Sequence, residues 1–321
     1  MEQSKFRVVG KNTKKMESIS RPSLTYWKDA WRRMKGNRVA FFSLILIVLY
    51  IILALVGPYM NEFDYTSTNV DKMNYFLTSP QFKDMTLMES IKEMLSTGHW
   101  FGTDEIGRDL WTRVWMGARV SLSIGFIATI INTIVGSIVG GISGYYGGRV
   151  DSIIMRVVDV LYGIPYMIVA ILIMVVLGAG VTSLIIALVL VGWIGSARFV
   201  RGEVLKIKEQ EFVEAAKVLG IKDKTIIAKH IIPNIMGLII TNLTMAVPRA
   251  IFAEAFLSYI GLGIAPPGCS WGVLAKAGVK LMRIHPYQLF IPAFFISTTM
   301  LALNLIGDGM RDALDPKLRN E

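Results

Sequence analysis

Long apolar segments separated by polar stretches run through the 321 residues. A helix needs about 20 apolar residues to cross the roughly 30 Å core of a bilayer. The charge-free segment 160–197 would be about twice that thickness as one helix, so we predict two spans that turn at 177–180, Leu-Gly-Ala-Gly. The pattern therefore predicts an all-α integral membrane protein with six transmembrane helices. The other four spans cover residues 39–56, 120–142, 235–256 and 289–306.

The first 38 residues are polar and basic. Near their end, Trp27, Ala30, Trp31 and Met34 share one helical face, with Lys and Arg around it. Such a pattern is typical of an amphipathic helix lying at the membrane surface. We predict an interfacial helix there, before the first span.

Three further regions follow from the spacing of the spans. Residues 57–119, after the first span, are long enough for a small cap with short helices of its own. Residues 120–306 form the predicted five-helix core, which includes a polar loop at 198–234. Residues 307–321 form a predicted tail.

Lys and Arg are distributed unevenly between the two sides of the predicted membrane. Basic loops mark the cytoplasmic side, so both termini and the loop 198–234 are expected in the cytoplasm and the cap outside. This bias accounts for the net charge of +10 without a nucleic-acid surface, so we expect no nucleic-acid partner. The segments that hold 24 of the 34 basic residues are 1–38, 145–158, 198–234 and 307–321.

Residue types that build catalytic or metal sites are few. Cys269 is the only cysteine, and the three histidines lack the spacing of a zinc site. P-loop, Gly-x-Ser-x-Gly and His-Glu-x-x-His motifs are absent from the sequence. We therefore expect a non-catalytic chain without metal or cofactor, whose ATP, if used, is bound by another subunit.

The polar loop contains the most specific pattern. A helix over 209–219 would place Phe212, Ala215, Ala216 and Leu219 on one face, with two alanines at its centre where a partner could approach closely. Gly220 is predicted to end that helix in a left-handed conformation. Asp223 is predicted to cap a second helix that Pro233 stops. The alternative is an amphipathic loop that packs on its own protein.

This loop resembles the EAA loop of ABC-importer permeases, which docks into the ATPase subunit. The resemblance implies that residues of the 209–220 helix and its end contact an ATPase. These docking residues are Glu211, Phe212, Glu214, Ala215, Ala216, Leu219, Gly220 and Ile221.

Three more motifs, in the same order and with the same topology, make the chain similar to the C-type permease subunit of oligopeptide, dipeptide and nickel importers. They are the Gly-Thr-Asp-x-x-Gly-Arg-Asp string at 102–109, the segment 254–272 and the segment 307–316. The resemblance implies a subunit of a bacterial cell-membrane oligopeptide importer. Its partners would be a homologous second permease, two cytoplasmic ATPases, an external substrate-binding lipoprotein and the peptide. Dipeptide or nickel transport remains open, and a secondary transporter is a distant alternative.

Two features inside the spans invite a functional interpretation. Gly136, Gly140 and Gly144 recur every four residues, which favours close packing against another helix, with a hinge as the alternative. Arg249 lies at mid-membrane depth, where an unpaired charge is costly, so it should face protein or water. Arg249 is predicted either to line the translocation path or to form an ion pair between subunits, and Glu254 is its candidate partner.

Overall fold

The computed structural model describes residues 26–77 and 82–314, and these residues are almost entirely helical. Within them the extended pairing is limited to an isolated bridge between Thr103 and Asp109. Eleven α-helices of eight or more residues occur in these two ranges. They are α1 (Tyr26–Gly36), α2 (Arg38–Val56), α3 (Leu87–Ser96), α4 (Leu110–Tyr146), α5 (Gly148–Tyr162), α6 (Tyr166–Leu177), α7 (Val181–Ile207), α8 (Glu211–Val218), α9 (Met236–Leu257), α10 (Trp271–Lys280) and α11 (Tyr287–Leu314).

Five of the described helices are long and apolar enough to cross a membrane: α2, α4, α7, α9 and α11. The remaining predicted span, 160–177, corresponds to α6 and the last three residues of α5, and these two helices meet at a bend of 76°. The predicted turn at 177–180 is confirmed, because α6 ends at Leu177 and α7 begins at Val181. By length and composition, residues 26–77 and 82–314 thus contain up to six spans, if the bent pair is counted as one.

The long helix α4 extends beyond its predicted span. Asp109 caps it by accepting a hydrogen bond from the Thr112 amide, so the helix begins ten residues before 120. Its 37 residues would be about 55 Å long, well beyond the bilayer core. The predicted cap, 57–119, therefore includes the first ten residues of α4, and its boundary at the membrane stays a prediction. Hydropathy marks where a helix enters lipid, and the capping residue marks where it starts.

Helix α4 packs closely against α7 through the predicted glycine stripe. A Cβ atom on Gly136 would lie 2.5 Å from Ser196 Cβ, and one on Gly140 would lie 2.3 Å from the Ala197 carbonyl oxygen. Only a missing side chain permits this approach. The close-packing interpretation of the stripe is confirmed.

Helices α1, α2 and α11 meet at the end of the bundle that also carries the polar loop, hereafter the loop end. Asn37 caps α2, and Gly309 of α11 leaves no room for a Cβ, which would lie 2.3 Å from Ala40 Cβ. Ala30 and Met34 of α1 are buried, whereas Trp31 is exposed. Helix α11 continues to Leu314, so the predicted tail from 307 begins inside this helix, and its boundary at the membrane stays a prediction. The side chain of Trp27 and residues 1–25 and 315–321 lie outside the described part.

At the opposite end, hereafter the cap end, the segment between α2 and α4 folds over the bundle. Helix α3 begins with a capping box formed by Thr86 and Glu89. The Tyr287 hydroxyl donates to the Thr103 carbonyl oxygen at 2.7 Å, which ties α11 to this segment. Buried aromatic residues of the cap end, including Trp115, Trp271 and Phe295, pack into one cluster with α2 and α9.

Candidate docking surface and mid-span cavity

Helix α8 is short and has defined ends. Gln210 precedes it in an extended conformation, so the helix begins two residues later than predicted. At its end the Ile221 amide donates to the Ala216 carbonyl oxygen at 3.1 Å, and the Gly220 amide donates to the Lys217 carbonyl oxygen at 3.0 Å. These two bonds form a Schellman motif. Gly220 has φ +71°, which confirms the predicted left-handed residue.

One face of α8 is buried in the chain itself. Val213 and Ala216 pack into an apolar cluster with Val200 and Val204 of α7 and with Ile231 of the following segment. Ala216 is only 4% exposed, so its predicted place on the exposed face is wrong. Apolar residues occupy six of the eleven positions from 209 to 219 and cover more than half of the helix circumference, about 220°. The sequence pattern alone therefore does not determine which side packs inward.

The outward side of α8 forms an apolar strip with acidic residues beside it. Val218 and Leu219 are 88% and 78% exposed, although each is a large aliphatic side chain. Val218 was missed in the sequence because it lies outside the predicted face. We call this surface the docking ridge, and it consists of Glu211, Phe212, Glu214, Ala215, Val218 and Leu219.

The helix is fastened to the ends of three spans. The Tyr145 hydroxyl of α4 donates to Asp223 Oδ1 at 2.7 Å, and Lys217 Nζ lies 5.3 Å from the centre of the Tyr145 ring. Asp223 thus serves as an acceptor for α4. It does not cap the helix that follows, so that prediction is wrong. Ile235 and Ile239, where the chain enters α9, belong to the same buried cluster as Val213.

A half-buried ion pair holds α5 and α7 together at the loop end. Arg201 of α7 donates from Nε and Nη2 to the two carboxylate oxygens of Asp151, at 2.5 Å each. The Ser143 hydroxyl of α4 donates to the same carboxylate. A bidentate arginine–carboxylate pair fixes orientation as well as distance. Two of the spans that carry α8, α4 and α7, are therefore linked to each other through Asp151 of α5.

A cavity of about 280 Å³ lies deeper in the bundle, between α4, α6, α7 and α9. Arg249 is exposed and lines it, about 20 Å along α9 from Met236. Its Nε–H donates to the Met245 carbonyl oxygen at 3.3 Å, and it forms no ion pair within the described residues. The polar residues around the cavity are Thr129, Asn132, Tyr166, Ser196, Asn242 and Arg249.

Glu254 lies elsewhere, and the prediction that it partners Arg249 is wrong. It is fully buried, accepts hydrogen bonds from the Ser121 and Ser258 hydroxyls at 2.7 Å each, and does not line the cavity. Five positions along a helix correspond to a rotation of about 140°, so the two side chains leave α9 in different directions. Because Glu254 is enclosed by its own chain, it is also no candidate for an intersubunit contact.

Two further residues of the cavity are recognisable from the sequence. Asn132 and Asn242 are isolated amides within apolar spans, where polar side chains are expensive. Asn132 Nδ2 donates to the Leu188 carbonyl oxygen at 3.3 Å, across the gap left by Gly192. A Cβ on Gly192 would lie 2.2 Å from that nitrogen.

Two family models match this chain. Residues 25–80 match the N-terminal TM domain of oligopeptide transport permease C. Residues 136–320, more than half of the chain, match the inner membrane component of binding-protein-dependent transport systems. This chain belongs to that permease family. The docking ridge and most of the cavity lining lie within the second matched range.

Curated relatives confirm the resemblance drawn from the four motifs. The permease is 47% identical over 315 residues to the dipeptide transport system permease protein DppC of Bacillus subtilis, covering 98% of this chain and 93% of the relative. It is 45% identical over 314 residues to the oligopeptide transport system permease protein OppC of the same organism, covering 98% and 97%. It is 42% identical over 313 residues to OppC of Escherichia coli K12, covering 96% and 98%.

A solved structure supports the fold. The permease is similar to a chain of the MetNI methionine ABC transporter in an inward-facing conformation, with a TM-score of 0.52 and 16% identity. The similarity covers 63% of this permease and 97% of that chain. The multi-pass helical membrane architecture predicted from the apolar segments is thus shared with an importer permease.

Proposed function

We propose that this permease is one of two transmembrane subunits of a bacterial ATP-driven peptide importer, and that the docking ridge of α8 binds an ATPase subunit. One observation carries the proposal: α8 is fastened to α4, α7 and α9, the same helices that line the cavity at Arg249. If an ATPase displaces α8, the same three helices would transmit the displacement to the cavity, with no flexible connection between α8 and the cavity. The names of the relatives, which denote dipeptide and oligopeptide transport, support a peptide cargo.

The ridge has the chemistry of a protein-binding surface. Exposed Val218 and Leu219 offer apolar area, while Glu211 and Glu214 offer charges for basic or amide groups on a partner. Apolar side chains at the centre of a patch with polar groups at its rim are typical of such interfaces. Ala215 is exposed among them, so a partner can approach the helix backbone there. Gly220 and Ile221 set the direction in which the chain leaves the ridge.

The assembly follows from the chain's lack of a nucleotide site. The sequence has no P-loop, so this permease is a non-catalytic subunit and two cytoplasmic ATPases supply hydrolysis. The other partners are a homologous second permease and an external substrate-binding lipoprotein. The excess of Lys and Arg in 1–38 and 198–234 orients the loop end and both termini toward the cytoplasm of the cell, and the cap end outward.

The mechanism is a shift between two populations of the permease. A nucleotide changes the contacts of the ATPases at the ridge, and a ligand can shift a conformational equilibrium only by its difference in affinity for the two states. Because the Asp151–Arg201 pair and the α8 cluster hold the loop-end segments together, those segments move as one unit. That motion opens or closes the path at Arg249.

Ala215→Trp tests the ridge. The indole should block a close-fitting partner while leaving the fold of this chain intact, because Ala215 faces outward. Overpacking a tight contact costs about 1–3 kcal/mol, which corresponds to roughly five- to a hundred-fold weaker ATPase binding. Co-purification of the ATPase and peptide uptake should fall together. Ala215→Ser, which adds one oxygen, is the matched control and should retain both. Full ATPase binding and uptake by Ala215→Trp would refute the proposal.

A further inference from the structure

The cavity beside Arg249 combines a cation with polar atoms that have no hydrogen-bond partner. The guanidinium has the Met245 carbonyl oxygen as its acceptor and no ion pair in the described residues. Asn132 Oδ1 and the Tyr166 hydroxyl, both on residues that line the cavity, are shielded from solvent and lack a hydrogen-bond partner among the described residues. Because these two atoms are shielded from solvent, the group that a ligand in the cavity can reach is the exposed guanidinium, which is available to pair with an anion.

The charge of Arg249 is not neutralised by Glu254, the nearest carboxylate on α9. Glu254 has Ser121 and Ser258 as hydrogen-bond donors and is fully enclosed. No Asp or Glu lines the cavity within the described residues. An ionisable residue inside a membrane span is costly and in most proteins marks a substrate or ion pathway. The lining therefore favours an anionic group and disfavours an ammonium group.

We infer that this cavity binds the C-terminal carboxylate of the peptide during its passage, with Arg249 as the residue that pairs with it. The inference rests on the proposed function and adds the group of the substrate that is recognised. The planar guanidinium matches a carboxylate with two parallel hydrogen bonds. At about 280 Å³ the cavity is at the lower limit of ligand pockets, so it holds one end of a peptide.

The test compares two forms of one peptide. The complete importer is reconstituted in liposomes, and uptake of labelled tetra-alanine with a free carboxylate is compared with uptake of its C-terminal amide. Arg249→Gln should lower uptake of the acid about ten-fold or more and leave uptake of the amide nearly unchanged, because a charge-assisted pair is lost only for the acid. Arg249→Lys keeps the charge and should retain part of the preference. The external binding protein is identical throughout, so its own selectivity cancels between variants.

Two further variants control the test. Arg38→Gln removes a positive charge from an exposed position at the start of α2 and should leave both uptakes unchanged. Tyr166→Phe removes a hydroxyl that is shielded from solvent and should leave the difference in uptake between acid and amide unchanged, because the carboxylate pairs with Arg249.

Three results would overturn the inference. They are an equal loss for both peptides in Arg249→Gln, unchanged uptake of both, or loss of the second permease subunit on purification, which would assign Arg249 to an intersubunit ion pair. If the unmodified importer takes up neither peptide, the proposed cargo fails, whatever the role of Arg249.

Discussion

Ala215 and Ala216 are neighbours in α8 with opposite surroundings. Ala215 is exposed on the docking ridge, and Ala216 packs with Val213 against α7. Any partner that binds the ridge meets the first and not the second. Substitutions at the two alanines therefore test two roles of α8 separately. A change at Ala215 tests docking, and a change at Ala216 tests folding.

Ala216→Trp should destabilise the loop itself. Overpacking a buried site costs about 1–3 kcal/mol, whereas Ala215→Trp on the surface should change stability by about 0.5 kcal/mol or less. Limited trypsin digestion of the purified permease at Lys217 and Lys222 reports local opening of the loop. Cleavage should be roughly five- to a hundred-fold faster in Ala216→Trp than in the unaltered chain. Equal cleavage of the two tryptophan variants would contradict the orientation of α8.

Cys269 should resist thiol reagents in the folded permease. It is buried at the cap end with its Sγ 3.5 Å from the Arg113 carbonyl oxygen, and burial raises the pKa of its thiol. A raised pKa leaves less of the reactive thiolate at pH 7, and the surrounding side chains block access. A maleimide should label it only after denaturation. Rapid labelling in native membranes, compared with an exposed Ala215→Cys in a Cys269→Ser background, would contradict this environment.

At the scale of elements, the direction of α8 depends on the turn that ends it, and the packing of the bundle depends on the close approach of α4 and α7. The first is a backbone property of Gly220, since no atom lies within 4 Å of its would-be Cβ. The second is a steric property of Gly136 and Gly140. Each can be changed without altering a charge.

Gly220→Val should weaken ATPase binding by misdirecting the ridge. A left-handed conformation costs a residue with a side chain about 1–2 kcal/mol, roughly five- to thirty-fold in the population of the native end of α8. Gly220→Asn tolerates that conformation better and is the matched control. Co-purification of the ATPase should fall for valine and persist for asparagine. Equal behaviour of the two variants would show that the left-handed turn is unimportant for docking.

Gly140→Ala should separate α4 from α7. Its methyl group would lie 2.3 Å from the Ala197 carbonyl oxygen, so the helices must move apart. Gly202→Ala in α7 is the control, because no atom lies within 4 Å of its would-be Cβ and alanine favours a helix by about 1 kcal/mol. The thermal unfolding temperature of the purified permease should fall for Gly140→Ala and remain or rise for Gly202→Ala. A fall in both, or in neither, would contradict the packing described.

The features that the sequence predicted are those set by local rules. Apolar length located the spans, glycine spacing located the α4–α7 contact, and Gly220 located the end of α8. Features set by distant residues were missed. Glu254 is held by Ser121, which lies 133 positions away. The bend between α5 and α6 is different, because it lies at Gly163 and Pro165, a local signal inside an apolar segment. The rotation of α8 was missed because apolar residues lie on both of its sides.

At the scale of the whole molecule, one end of the bundle is joined to its interior by three helices. The docking ridge is attached to α4, α7 and α9 at the loop end, and each of these helices also lines the cavity at Arg249. The cap end is fixed separately by the Trp115–Trp271–Phe295 cluster. Rotation of the loop end against a fixed cap end would change access to the cavity from one side. The proposed mechanism requires an ATPase bound at the docking ridge.

Photo-crosslinking measures that contact most directly. A photoreactive phenylalanine derivative replaces Val218 on the ridge or, as the control, Leu301, an exposed apolar residue of α11. The complete importer is irradiated in membranes that retain peptide uptake. The account predicts a covalent adduct between the Val218 position and an ATPase subunit, and none from the Leu301 position. An importer that is active and yields no ATPase adduct at the Val218 position would contradict it.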